Sequence, residues 1–523
     1  MLEEIIACFL SLFSALTLDP PRLSRREMND NTSASEQRTR YTWEDKIHKE
    51  YVSFEEDNLP SETEYVQLGH ELRNRPSYIQ SLLRSLRANF TITLAVLPLA
   101  LIGMALIYFD LRTVDLCSEW EAKNYTFSFD IQRIKLIGEG FQTAILYLAG
   151  PLFLLVLFGW REFKRYYSST ILVGQLAGLF NTLFLSFLLL YGIEDTSPIK
   201  AYNVPGNLIF AVATLWESAI VMRNIRQNHP TISYSRRHIF SVLAVPVLST
   251  LAMAVFYKYA VVKWFNSLRH NVLYKFILAI LTPTLALVPT TICRHMALWR
   301  TSEIIEPERS FALVYFVRAM FITLYRIMQS DFKNIWLFVG LSFLSGVSSL
   351  LKTATVGIRE KVWARVIRFL NRTCCTRLHH LPGNTPHHRR LKADTEIQNI
   401  LFENNSLILS QSYIVLYTIT NFHLSDWSVV KSSLTRIAIG LVIEFVFNVL
   451  STFIHIQWYN IPIARVWSKY WKRHVFANAI IVAVLVYYFT QPLLAVFQDR
   501  FHDSGTGNYT IRTNCTLPYE YWR

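Results

Sequence analysis

The chain has 523 residues, 52% of them hydrophobic, a mean hydropathy of +0.24 and a net charge of +14. Its apolar residues gather in continuous runs of about 20, the length that crosses a bilayer, which excludes an ordinary soluble globule and, because the runs do not alternate, a spanning β-barrel. The lysines and arginines lie between the runs, and no RNP-like, zinc-finger or helix-turn-helix pattern accompanies them. They therefore fit membrane topology and anionic inner-leaflet lipids, not nucleic acid.

In chain order, Met1 to Leu18 includes the apolar run IIACFLSLFSALTL behind an acidic start. This reads as an interfacial helix, with a cleaved signal as the alternative. Asp19 to about Ser85 is too polar to bury a core. Local helix is expected near Tyr78 to Leu86. The predicted spans are Phe90–Phe109, Ile137–Phe158, Ile171–Tyr191, Leu208–Val221, Ile239–Tyr257, Val272–Ile292, Phe311–Met328, Ile335–Leu351, Leu407–Thr420, Leu434–Ile456 and Val475–Phe497. The ninth is short unless polar Ile397 to Ser406 also lies in the membrane. Pro246, Pro283 and Pro289 should kink the fifth and sixth spans. Gly340 and Gly346 in the eighth should allow close helix contact.

The expected fold is an all-α polytopic membrane protein with about eleven transmembrane helices. Its parts are a cytoplasmic segment 1–88, helices one to eight in 89–351, a basic cytoplasmic loop 352–396, helices nine to eleven in 397–498, and an extracytoplasmic tail 499–523. Lys and Arg are concentrated in the N-terminal segment and after even-numbered spans, which puts the N-terminus in the cytoplasm and the C-terminus outside. The sequons at Asn124, Asn508 and Asn514 fall on that outer side, although Asn371 begins another on the inner side. Cys117 and Cys515 also face outward and are expected to pair as a disulfide. Sequons place the chain in the plasma membrane or an endomembrane of the secretory pathway.

The inner loop contains KTATVGIREKVWARVIRFLNRT, in which Val362, Trp363, Val366, Ile367 and Leu370 form an amphipathic face suited to the inner leaflet. Cys374, Cys375, His379, His380, His387 and His388 follow. Their spacing matches no established zinc site, so palmitoylated cysteines and a solvated basic loop compete with metal binding, and no metal or cofactor is assigned.

The tenth span carries Glu444 near its middle, with Asn448, Thr452 and His455 continuing the same face. A carboxylate in hydrocarbon needs a partner, a proton or water. Glu139, Glu217, Arg326 and Glu403 lie near enough to a predicted membrane edge to snorkel. Arg318 and Glu444 lie deep, so depth nominates an Arg318–Glu444 pair, with Asn448 and Gln411 as neighbours. Glu139 and Gln142 in the second span complete a candidate pathway for a small solute or ion. Such a pathway makes a transporter the leading function. A channel or lipid scramblase would use the same lining. A receptor or scaffold would hold the charges as structural groups. No Walker A, GxSxG or HExxH pattern supports an enzyme.

Overall fold

The structure is a computed structural model. It describes residues 77–115, 129–190, 203–228, 234–268, 271–298, 304–358, 386–422 and 427–502, together with 301, 362 and 365. Cys117, Asn124, Asn371, Cys374, Cys375, His379, His380, Asn508, Asn514 and Cys515 lie outside these residues, as does most of the amphipathic stretch after span eight. The described residues are almost entirely helical, with no strand among them. Fourteen helices are α1 Tyr78–Asp110, α2 Phe129–Tyr147, α3 Ala149–Glu162, α4 Ser169–Leu190, α5 Asn203–Asn228, α6 Arg236–Phe256, α7 Val262–Ser267, α8 Val272–Leu285, α9 Leu287–Leu298, α10 Phe311–Asp331, α11 Ile335–Ala354, α12 Pro386–Phe422, α13 Trp427–Tyr459 and α14 Ile463–His502.

Among the described residues nine segments are long and apolar enough to cross a membrane. The other two expected spans lie on α12 and α14. Large apolar side chains such as Leu172, Leu176, Leu179, Phe180 and Leu183 on α4 stand exposed. Water would penalise such a surface, whereas hydrocarbon would not. The many apolar helices and this apolar exterior point to a multi-pass membrane protein.

Proline chemistry accounts for the broken helices. The second expected span divides into α2 and α3 at Leu148, three residues before Pro151. The sixth divides into α8 and α9 at Ala286, between Pro283 and Pro289. A proline supplies no N–H to the ladder and crowds the carbonyl one turn earlier. Pro246 sits inside a continuous α6, which then loosens into a π-helical turn at Tyr257–Val261.

Two helices form the centre. The most apolar stretch of α10 is 83% buried, against 22% to 56% for the other eight spans. It therefore has almost no surface left for lipid. Helix α12 is polar for a membrane element, yet α1, α10, α13 and α14 surround it. Its N-terminus begins at Pro386, whose fixed φ suits the first helical turn. The stretch 386–396, the end of the expected basic loop, is the start of this helix and is largely buried. Apolar Ala393, Ile397, Ile400 and Leu401 pack with Ile92, Val96 and Leu99 of α1 and with Val466 and Trp467 of α14.

Small residues set the spacing around α13. Phe447 fills the space above Gly346 of α11, while Gly340 meets nothing within 4 Å. A Cβ at Gly440 would lie 2.7 Å from Leu407 Cδ2 of α12. Gly440→Val should therefore cost about 1–3 kcal/mol by overpacking. Thermal unfolding should show part of that loss restored by Leu407→Ala.

Candidate functional site

The polar face read from α13 is buried as a unit: Glu444, Asn448, Thr452 and His455 all turn inward. Its ion-pair partner differs from the one depth nominated. Arg326 Nη2 donates to Glu444 Oε1, with 1% and 3% of the two side chains exposed. Arg326 Nη1 also donates to Gln329 Oε1 at 2.7 Å. Gln329 Nε2 in turn donates to Phe338 O at 3.0 Å and Ser342 Oγ at 2.6 Å. The pair is thus tied to α11 as well as to α10 and α13.

Arg326 was expected to snorkel because it lies near the end of a span. The burial of α10 removes that escape, since the Arg326 side chain is enclosed by protein. Glu217, expected to snorkel too, is also buried, where α5 passes Gly150 and Gly174. Arg318 stands eight residues before Arg326, about 12 Å along the axis at 1.5 Å per residue. Its field acts on Glu396 and Glu403 of α12.

Glu403 shares a layer with Glu444. Helices α12 and α13 are joined by a short connection, so one turn back from Leu407 meets one turn forward from Gly440. The strongest fields on Glu403 come from Glu444, Arg326, Arg318 and Glu396. Lys392, Glu396 and Glu403 are half-buried, as is Arg318, whereas Asp394, Thr395, Gln398, Asn399, Asn404 and Asn405 are buried. Spacings of four and seven put Lys392, Glu396 and Glu403 on one stripe of the helix.

Glu396 Oε1 lies 3.8 Å from His455 Nε2, too long for a hydrogen bond. Asn399 Nδ2 donates to Glu396 Oε2 at 3.2 Å. His455 and Arg318 are the groups that act on the Glu396 carboxylate across this layer.

Gln411 of α12 donates to Ser330 Oγ of α10 at 2.8 Å, and Ser330 donates to Ser410 Oγ at 2.9 Å. Asn448 is 9% exposed, and its Nδ2 has no hydrogen-bond partner among the described residues. Gln142 donates to Tyr487 O of α14 at 2.7 Å, so α2 is anchored to α14 there. Glu139 is half-buried beside it on α2.

A second polar group closes the N-terminal end of α12. Arg390 Nε donates to Asp394 Oδ2 at 3.0 Å, and His474 Nε2 of α14 lies 3.1 Å from Asp394 Oδ1. Arg390 and Arg473 each lie over the Tyr470 ring, at 4.4 Å. Arg473 Nη1 donates to Glu308 Oε2 at 3.0 Å. His388 Nε2 lies 2.7 Å from Arg294 Nη2, and His387 Nε2 lies 3.4 Å from Ser310 Oγ. These histidines pack against neighbouring helices and are not part of a solvated loop. Burial holds His387 below its ordinary value, against the opposing pull of Asp394. Among the described residues no three His, Cys, Asp or Glu side chains are grouped to hold a metal.

Several contributors escaped sequence reading. Ser81 Oγ donates to Gln457 Oε1 at 2.7 Å, Ser85 Oγ to Val449 O at 2.7 Å, and Asn89 Nδ2 to Thr452 Oγ1 at 3.1 Å. Their four-residue spacing was the available signal: a polar stripe running into an apolar helix. Glu396 and Glu403 carried a similar signal at a spacing of seven. No family model, curated protein or solved structure matches the chain.

Proposed function

We propose that the protein is a transporter of a small solute or ion, which crosses between α1, α10, α12 and α13. The observation that carries this reading is the stripe of half-buried ionisable side chains on α12, facing Arg318 inside a sheath of apolar helices. Ionisable groups at such depth ordinarily line a pathway or a water-filled cavity. Complete closure of the Arg326–Glu444 pair favours a second role for that pair, as the contact that holds α10 to α13. Arg318, Glu396 and Glu403 are then the groups that meet the passing species, with Asn448 and Gln411 beside them. An uninterrupted hydrated route would make the protein a channel or scramblase, and the same flux experiment separates these readings.

The proposed topology has about eleven crossings, a cytoplasmic N-terminus and a glycosylated outer tail. Its place is the plasma membrane or a secretory endomembrane, with anionic lipids at the inner loops.

Reconstitution into liposomes tests the reading. The natural chain should carry at least one class of solute or ion, and Glu396→Gln should reduce that flux by an order of magnitude or more. A cysteine placed at Asn448 should react with a small aqueous thiol reagent. Unchanged flux in Glu396→Gln would remove the α12 stripe from the mechanism. Absence of any flux, with an unreactive cysteine, would favour a receptor or scaffold.

A further inference from the structure

In the layer of Glu403 and Glu444 the carboxylates outnumber the guanidiniums, while Lys392 is turned to the Tyr459 ring. Glu396, Glu403 and Glu444 supply three carboxylates, and Arg318 and Arg326 supply two guanidiniums. Arg326 is committed to Glu444 and Gln329. Arg318 is divided between Glu396 and Glu403. Glu403 therefore faces the like charge of Glu444 with no cation of its own. Two carboxylates so placed favour holding one proton over holding two negative charges.

The surroundings of Glu403 offer no other remedy. Helix α10 presents Arg318, Arg326, Tyr315 and Tyr325 to the cluster, and α13 presents Glu444 and His455. His455 is turned to Glu396 and Lys392. His474 of α14 is occupied by Asp394 and Gln398. The face of α1 near this level consists of Ile92, Thr93, Val96 and Leu99, none of which is charged.

Two observations point to an exchangeable ligand. Asn448, one turn from Glu444 on the same face, holds a buried amide nitrogen with no partner among the described residues. Such a donor suits a carboxylate oxygen or a water beside the pair. The half-buried stripe through Lys392, Glu396 and Glu403 also gives water an approach to Glu403 that Glu444 lacks.

We propose that Glu403 is a reversible proton-binding site, and that its occupancy controls the Arg326–Glu444 pair. When a proton from water adds to a Glu403 carboxylate oxygen, the side chain becomes a neutral acid and Arg326 stays with Glu444. When the proton returns to water, the Glu403 carboxylate competes with Glu444 for Arg326 and loosens the contact between α10 and α13. As the coupling site of a proton-driven carrier this rests on the transport reading; as a proton site it stands without it.

Infrared spectroscopy of the purified full chain in lipid tests the proposal. At neutral pH the natural chain should show a protonated-carboxyl C=O stretch that bleaches at alkaline pH. That band should vanish in Glu403→Gln and persist in Glu396→Gln. Thermal unfolding of each variant establishes that it is folded. If Glu403→Gln does not fold, Glu403→Asp should shift the band. Matching spectra for the natural chain and folded Glu403→Gln would overturn the proposal, and so would a band unmoved in Glu403→Asp. A carboxylate signal that responds to sodium and not to pH would replace the proton with a metal cation and also overturn it. The liposome assay separates the two readings: a Glu403 band without flux sinks transport alone, and flux without the band sinks the proton site alone.

Discussion

Arg326→Met should cost about 3–5 kcal/mol of folding stability, the usual consequence of stripping one partner from a buried ion pair. The loss comes from what remains. Glu444 would be left without its guanidinium in a place where 3% of it is exposed. Gln329 would also lose a 2.7 Å partner, worth about 1 kcal/mol. The double variant Arg326→Met, Glu444→Met should recover most of the loss, because an apolar pair of similar volume often matches a buried ion pair. Thermal unfolding of the two single variants and the double variant, in one detergent, closes a double-mutant cycle. Additive losses would mean that the two side chains do not depend on each other. The prediction would then fail, and with it the view that this pair fixes α10 against α13.

The helical pattern was readable wherever lipid is the neighbour, because a continuous apolar run can do little else. The inward face of α13 was readable for the same reason: in a helix otherwise suited to hydrocarbon, Glu444, Asn448, Thr452 and His455 had to turn away from it. The partner was not readable. Depth along a span ranks a charge by its distance from water, and that ranking assumes a lipid-facing helix. Helix α10 faces protein on nearly every side, so Arg326 is deep although it lies near the helix end. Helix α12 was obscured by the same assumption. Its Gln398, Asn399, Asn404 and Asn405 left open whether the ninth span begins before Leu407, yet a helix sheathed by other helices can bury such groups. Which helices surround which is a property of tertiary contact, and no periodicity within one segment carries it. Prolines act on their own backbone, so the breaks near Pro151 and between Pro283 and Pro289 were within reach of the sequence.

Asp394→Ala should destabilise the chain by about 3–5 kcal/mol at neutral pH, through the end of α12 where that helix meets α14. Asp394 is fully buried and holds Arg390 at 3.0 Å with His474 at 3.1 Å. Burial by itself would raise its carboxyl, but Arg390, then His474, outweigh burial and hold it below the ordinary range. A depressed carboxyl stabilises the fold at every pH above its unfolded value, near 3.9 for aspartate. That contribution disappears as pH falls through the lower folded value. The gap in stability between the natural chain and Asp394→Ala should therefore hold steady from neutral pH down to about pH 4 and narrow only below it. His387 supplies a separate step. Burial lowers its value, so the unfolded chain takes up a proton first, and stability should begin to fall as pH drops through about 6.5. His387→Gln should reduce this upper step, which other buried histidines share, and leave the lower one intact, whereas Asp394→Ala should flatten the lower step. Unfolding midpoints of the three chains across a pH series measure both steps. A gap for Asp394→Ala that already closes near pH 6 would show that a histidine, and not the carboxylate, sets the charge at this junction.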